Sequence, residues 1–591
     1  MEPIGQARNR RLVQRFPKYL KERQPQAFQA AHQRMYQYLC DYTPHQPDSL
    51  EGLQPLYQAV AHGCLAGLQQ EACGQVYRDR ILRGTDSNGN YSANKLGAFG
   101  ADLGAVACFF EIPWQRVSPA LSEPAQAWLL NEAATRLRAL GRLTEALEPM
   151  RVSGEMDVKV EEWQGAAISY SNLSELELTL GDITLAVVDA EQSLRHADAS
   201  GDAAERIGNR TTLADALHQA GRRAEAAAAF REAETLQAED QPGYPLLYSL
   251  RGFQYCDLLL SDLGLLPLLA RQNPSAEAPA TVLAEVMARA TQAIKIAEYN
   301  RWILDIALDH LSLGRAHLYR FIIAYPTIPA AHDNYAAPPA LSTEQTQELK
   351  TAANELAAAV DGLRRCGQQQ YLPLGLLTRA WLRRLCSHLG YVEESVNGVV
   401  GYAVRTLPDA GLDKVRTAYP TDDDCMDAEG TTPGMGEVDR VGNKRSRATQ
   451  GAVVGAGSAS ITQTAASDGL PSVSPSYIDG DDYPQNTATQ GAIADVGFSG
   501  GRAGKMPARH VQPCPAQADL DEAYDIAERG PMPLFLADIH LYRAGLFHNA
   551  TPYPSAWKSP KHDLAEARRL IEKHGYWRRK AELEALERVL L

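Results

Sequence analysis

The chain has no apolar run of 18 residues and no secretory leader pattern, so neither a membrane span nor export is expected. It has nine cysteines, an odd number, and no Cys-x-x-Cys pair; the closest two are Cys64 and Cys73. That excludes the usual zinc-ribbon and dithiol spacings and fits reduced, packed thiols in a cytoplasmic protein. No H-E-x-x-H occurs, and none of the fourteen histidines pairs with cysteine at zinc spacing, so no metal is expected. His310 with His317, and His540 with His548, are the nearest helical histidine pairs. No G-x-x-x-x-G-K-[ST] is present. The net charge of −14 disfavours nonspecific nucleic-acid binding by the whole chain.

Catalytic patterns are also missing. Gly497-Phe498-Ser499-Gly500-Gly501 fits the letters of a nucleophile elbow, but its surroundings have no strand–turn–helix pattern. Gly504-Lys505-Met506 lacks the hydroxyl residue and the earlier glycine of a phosphate loop. Glu175 and Glu177 fall on different faces of one helix, so they do not form an acid–base dyad. The expectation is a protein with no catalytic residues and no cofactor.

What the sequence does contain is a spacing. Small residues recur in similar helical surroundings at Ala134, Ser174, Ala214, Gly252, Ala316, Ala380 and Ala544. The first two steps are 40 residues and the third 38; the later, longer steps read as the same repeat with insertions. Gly141, Gly181 and Gly221 each follow a small residue by seven positions, and Ala146, Ala186 and Ala226 follow each glycine by five. Glycine suits the left-handed position that ends a helix, and small residues let two helix backbones approach. The pattern predicts an all-α stack of helix pairs, a solenoid in which each repeat shields its neighbour's apolar stripe.

Small at 8, glycine at 15, alanine at 20, a larger residue at 24 and small at 27 resembles the tetratricopeptide repeat (TPR), with a period of about 40 in place of 34. The resemblance implies that the first helix of each pair lines a concave groove for a protein or peptide. Groove positions then fall on Asn131, Thr135 and Arg138, on Ser171, Glu175 and Leu178, and on Thr211, Asp215 and His218. The lysine–asparagine set that clamps a terminal carboxylate in some such repeats is not reproduced. Glu175 and Asp215 stack in consecutive repeats, which suits either a basic or amide-rich partner or a solvated polar face. An arginine precedes the small residue at Arg315, Arg379 and Arg543. These are expected to cover apolar surface with their stems and keep their heads wet.

A second resemblance lies near the start. Arg15-Phe16-Pro17-Lys18-Tyr19-Leu20, then Ala30-Ala31-His32-Gln33-Arg34-Met35-Tyr36, resemble the junction after the winged-helix part of bacterial NACHT-type STAND ATPases, and Leu56-Tyr57-Gln58-Ala59-Val60-Ala61-His62 with the repeats resembles their carboxy-terminal sensor region. The resemblance implies a ligand-sensing repeat region whose ATPase part is missing, with a separately encoded ATPase as a candidate partner. Residues 1–40 carry a net charge of +6, read as a solvated helix face.

The expected organisation is a winged-helix remnant at 1–45, a helical part at 46–120, TPR-like repeats at 121–386, a disordered insertion at 387–515, and the last repeats with a charged cap at 516–591. The insertion is rich in Gly, Ser, Thr and Asp and poor in bulky apolar residues. Shorter Pro-containing loops are expected at 263–281 and 325–345. Function is then expected to be non-catalytic protein binding. A stand-alone adaptor or assembly chaperone, and a truncated gene product without activity, remain as alternatives.

Overall fold

The structure is a computed structural model that describes residues 20–85, 89–263, 277–324, 341–389 and 513–591. The first 19 residues, most of the expected insertion with its two glycine motifs, and the greater part of the two Pro-containing loops lie outside the described residues. Almost everything described is helix, and the one sheet is a two-stranded antiparallel hairpin, β1 (Phe110–Ile112) with β2 (Arg116–Val117).

An N-terminal group comprises α1 (Pro25–Tyr42), α2 (Leu50–Leu65), a π-helical stretch (Ala72–Ile81), α3 (Tyr91–Leu96) and α4 (Phe99–Ala107). Its core gathers Leu53, Leu56, Tyr77 and Phe109. Asp102 is fully buried there and accepts hydrogen bonds from Tyr57 Oη at 2.7 Å and Ser92 Oγ at 2.8 Å. Those bonds compensate a charge that would otherwise be costly to bury.

The remaining helices come in pairs. They are α5 (Glu123–Ala139) with α6 (Leu143–Lys159), α7 (Trp163–Leu180) with α8 (Ile183–Ser200), and α9 (Ala203–Gln219) with α10 (Arg223–Asp240). Next come α11 (Ser249–Leu260) with α12 (Glu277–Asn300), and α13 (Ile303–Ala324) with α14 (Thr343–Arg365). The last are α15 (Leu372–His388) with α16 (Pro515–Arg529), and α17 (Pro533–Phe547) with α18 (Pro560–His574), followed by α19 (Lys580–Leu590). Each helix from α5 to α18 packs on the next, and each odd-numbered helix also touches the next odd-numbered one.

The small-residue register explains this packing. Each of the seven positions falls on an odd-numbered helix, α5 through α17, and every one of them is buried. The companion positions Ala146, Ala186 and Ala226 are fully buried on α6, α8 and α10. Ser174 Oγ donates to the Ala186 carbonyl at 2.8 Å, so one small position bonds directly across to the other. A larger side chain at either would push the two backbones apart, at a cost of about 1–3 kcal/mol. Gly141, Gly181 and Gly221 take φ of 75°, 84° and 76°, the left-handed geometry that ends α5, α7 and α9. Later starts are set by caps: Ser342 and Gln345 form a capping box before α14, and Ser559 accepts from the His562 N–H before α18.

Helix begins at Glu277 and at Thr343, so the two Pro-containing loops are shorter than expected from the sequence. The long interruption separates α15 from α16, the two members of one pair. Arg379 and Arg383 of α15 both reach Asp519 of α16, at 2.6 and 2.8 Å, and Asp519 is only 2% exposed. The expectation that Arg315, Arg379 and Arg543 keep wet heads is wrong: they pair with Asp257, Asp519 and Asp521. Apolar packing shields these positions from water, so the guanidinium groups take acids from neighbouring helices.

Two outcomes follow from the α15–α16 join. Replacing 391–511 by a short Gly-Ser linker should leave the far-UV circular dichroism per helical residue and the melting midpoint essentially unchanged. Asp519→Ala removes the buried carboxylate that Arg379 and Arg383 share and should lower the unfolding free energy by about 3 kcal/mol in urea titrations.

Candidate functional site, an internal polar cleft

The odd-numbered helices place a polar row on their shared face. Arg138 lies on α5, Glu175 on α7, Asp215 and Gln219 on α9, Gln254 and Asp257 on α11, and Arg315 on α13. The chain's own later segments oppose this row: Tyr371 just before α15, Asp538 on α17, and Tyr576, Arg578 and Arg579 between α18 and α19. Between them lies a cavity of about 140 Å³. A second cavity of about 440 Å³ shares Arg138, Glu175, Leu250 and Tyr371 with the first and continues to Arg251, Trp302 and Asp305.

The closure is built from ion pairs. Arg578 contacts Asp257 at 2.6 Å, and Arg315 contacts the same carboxylate at 3.0 Å. Burial acts to raise the Asp257 pKa, but the two guanidinium groups outweigh it and hold the carboxyl far below its usual range. Arg579 donates twice to Asp538, at 2.8 and 3.0 Å, and Tyr576 Oη donates to that carboxylate at 3.2 Å. Two turn glycines complete the contact. His574 lies 3.0 Å from the Gly181 carbonyl, and a Cβ on Gly181 would stand 2.4 Å from Pro533 Cγ. A Cβ on Gly221 would stand 2.7 Å from Trp577 Cβ. Both positions therefore require glycine twice, for φ and for close approach.

This corrects two sequence expectations. The charged cap expected at the end of 516–591 is only partly solvated: Trp577 is exposed, but Arg578 and Arg579 turn inward to Asp257 and Asp538. The expected groove is not an open, solvated face either. Arg138 bonds Glu175 at 2.8 Å, Gln219 donates to Asp215 at 2.7 Å, and Gln254 approaches it at 3.4 Å. The basic and amide groups that suit this acidic pair are supplied by the chain itself. Burial raises the Asp215 pKa to about 6 despite the Gln219 bond.

Of the seven candidate groove residues, Arg138, Glu175 and Asp215 line the cleft. The others serve packing. Asn131 is buried and accepts from Asn172 at 3.2 Å, Ser171 meets the Thr212 hydroxyl at 2.8 Å, and Thr211 donates to the Gly208 carbonyl at 2.7 Å. His218 is 2% exposed, and neither ring nitrogen has a hydrogen-bond partner. Glu177 is buried away from Glu175; burial, then the neighbouring Asp189, raise its pKa to about 9. Sequence reasoning missed Arg251, Asp257, Tyr371 and Asp538. Arg251 alone carried a signal, since it precedes Gly252 as Arg315 precedes Ala316.

Among the described residues no group of three or more His, Cys, Asp or Glu is placed to hold a metal ion. His310 faces Glu355, His317 faces Glu348 and His540 faces Asp563, each at 2.6 Å. No described helix is long and apolar enough to cross a membrane. Comparison with protein-family models, with curated proteins and with solved structures finds no match to this chain.

His218 gives the fold a pH dependence. Burial, and then the cation Arg578, push its pKa well below the usual 6.5; Asp257 opposes them, while Arg223 and Arg579 add to the depression. The unfolded chain takes up a proton below about pH 6.5 that the folded chain refuses, so His218 weakens the fold as pH falls through that value. His218→Leu should give a shallower fall in urea midpoint between pH 6.5 and 5 than the parent protein shows.

Proposed function

We propose that the chain is a non-catalytic, TPR-like repeat scaffold that binds a partner, acting as the ligand-sensing region of a NACHT/STAND-type signalling system in the cytoplasm. One observation carries the reading: seven small residues in a common register are buried on alternate, successively packed helices. In a solenoid of this kind one face of the stacked first helices is the customary binding surface. Here that face bears Arg138, Glu175 and Asp215, consistent with recognition at the cleft.

The resemblance near the chain start suggests a separately encoded ATPase as the partner. The ion pairs joining α15 to α16 across the interruption weigh against a decayed, inactive product, because random loss would not maintain buried acid–base matches. A stand-alone adaptor or assembly chaperone is the other reading, and it differs in having no ATPase partner.

The test is co-expression with an ATPase encoded by a neighbouring frame. Stoichiometric co-elution is expected, and the double variant Glu175→Ala/Asp215→Ala should weaken association more than tenfold without loss of helix content. Separate elution overturns the signalling reading, and unchanged affinity in the double variant removes the cleft from recognition.

A further inference from the structure

Four arginines share one place in the repeat register, directly before the small residue: Arg251 on α11, Arg315 on α13, Arg379 on α15 and Arg543 on α17. Three of them are matched to an acid, namely Asp257, Asp519 and Asp521. Arg251 has neither an ion pair nor a hydrogen bond to any described residue. Its environment is not that of a surface arginine with free access to bulk water. Burial depresses its pKa, with Glu205, Tyr248 and Glu175 opposing from beyond ion-pair distance.

The guanidinium is held by shape. It lies against the backbone of α9 at Gly208, where a Cβ would come within 2.6 Å of Nη2 and 3.0 Å of Cζ. Gly208 sits inside a helix, where glycine costs about 1 kcal/mol relative to alanine. From there the arginine lines the wall of the 440 Å³ cavity. On the same wall Arg138 has a buried Nε–H without an acceptor, although its Nη1 is bonded to Glu175. The cavity therefore presents one guanidinium group, that of Arg251, without an acid of its own. Around it stand Glu175, which Arg138 already pairs, and Asp305, with amides (Asn94, Gln237, Gln241) and aromatic rings (Tyr248, Trp302). A cavity of this size lined by polar groups and aromatic rings suits a small polar molecule.

We propose that the Arg251 cavity binds a small organic or inorganic oxyanion, its carboxylate or phosphate group accepting from the Arg251 fork. Planar guanidinium groups match both oxyanions through paired hydrogen bonds. The amides and rings then hold the remainder of the molecule. The oxyanion supplies the partner that the other three register arginines find within the chain. The inference stands on the cavity and is independent of whether an ATPase partners this protein.

Thermal melting and calorimetric titration of the full chain test it, with orthophosphate and glutarate as separate probes at constant ionic strength. At least one probe should raise the melting midpoint saturably, with a dissociation constant of millimolar or tighter, and the probe that does so distinguishes phosphate from carboxylate. Arg251→Gln should abolish the shift. Gly208→Ala keeps the charge but displaces the guanidinium, and should weaken binding at least tenfold; it decides the matter if Arg251→Gln fails to fold. Arg364→Gln, at an exposed ion pair on α14, should bind as the parent does. The proposal is overturned if neither probe gives a saturable response, if chloride alone gives the same shift, or if Gly208→Ala binds as tightly as the parent.

Discussion

The Asp257 carboxylate is the contact on which the closed arrangement depends. It is shared between Arg315 of α13 and Arg578 of the segment before α19, so it ties the middle of the helix stack to its C-terminal end. Neither arginine could enter this interior alone, because desolvating an unpaired cation costs several kcal/mol. The neighbouring Asp538–Arg579 pair repeats the arrangement with two parallel hydrogen bonds. Together they make the C-terminal docking specific: apolar contact alone would tolerate a slid register, and paired charges do not.

That closure changes what the stacked helices can offer. An open stack offers a long surface suited to an extended peptide. In this protein Tyr371, Asp538 and Arg578 occupy much of that face, and what remains is a half-open cleft. Partial shielding from water strengthens the polar interactions at its base. It also makes the cleft sensitive to titration of Asp215, which lines it. The cleft and the C-terminal docking therefore draw on one set of charges.

The register of small residues, the turn glycines and the helical character are local properties, and they were legible in the sequence. A 40-residue period survives because every copy solves the same packing problem at Ala134, Ser174 and Ala214. Half of the candidate site was less legible. Asn131, Ser171, Thr211 and His218 lie on the same helices as cleft residues, but the first three are held in hydrogen bonds within the stack and His218 is buried without a partner. Wet heads for Arg315 and Arg543 were a reasonable surface prior, overturned because acids from neighbouring helices reach them.

The sequence by itself determined the helix pairs, their turns and the buried stripe, since propensity and periodicity act over a few residues. Only the tertiary structure decided that Arg578 meets Asp257, that Gly181 and Gly221 receive the C-terminal segment, and that Arg251 is left without an acid. Those outcomes join residues as much as 393 positions apart, as Gly181 and His574 are. Local spacing carries no record of such a meeting, because it depends on the summed rotation of every pair between them.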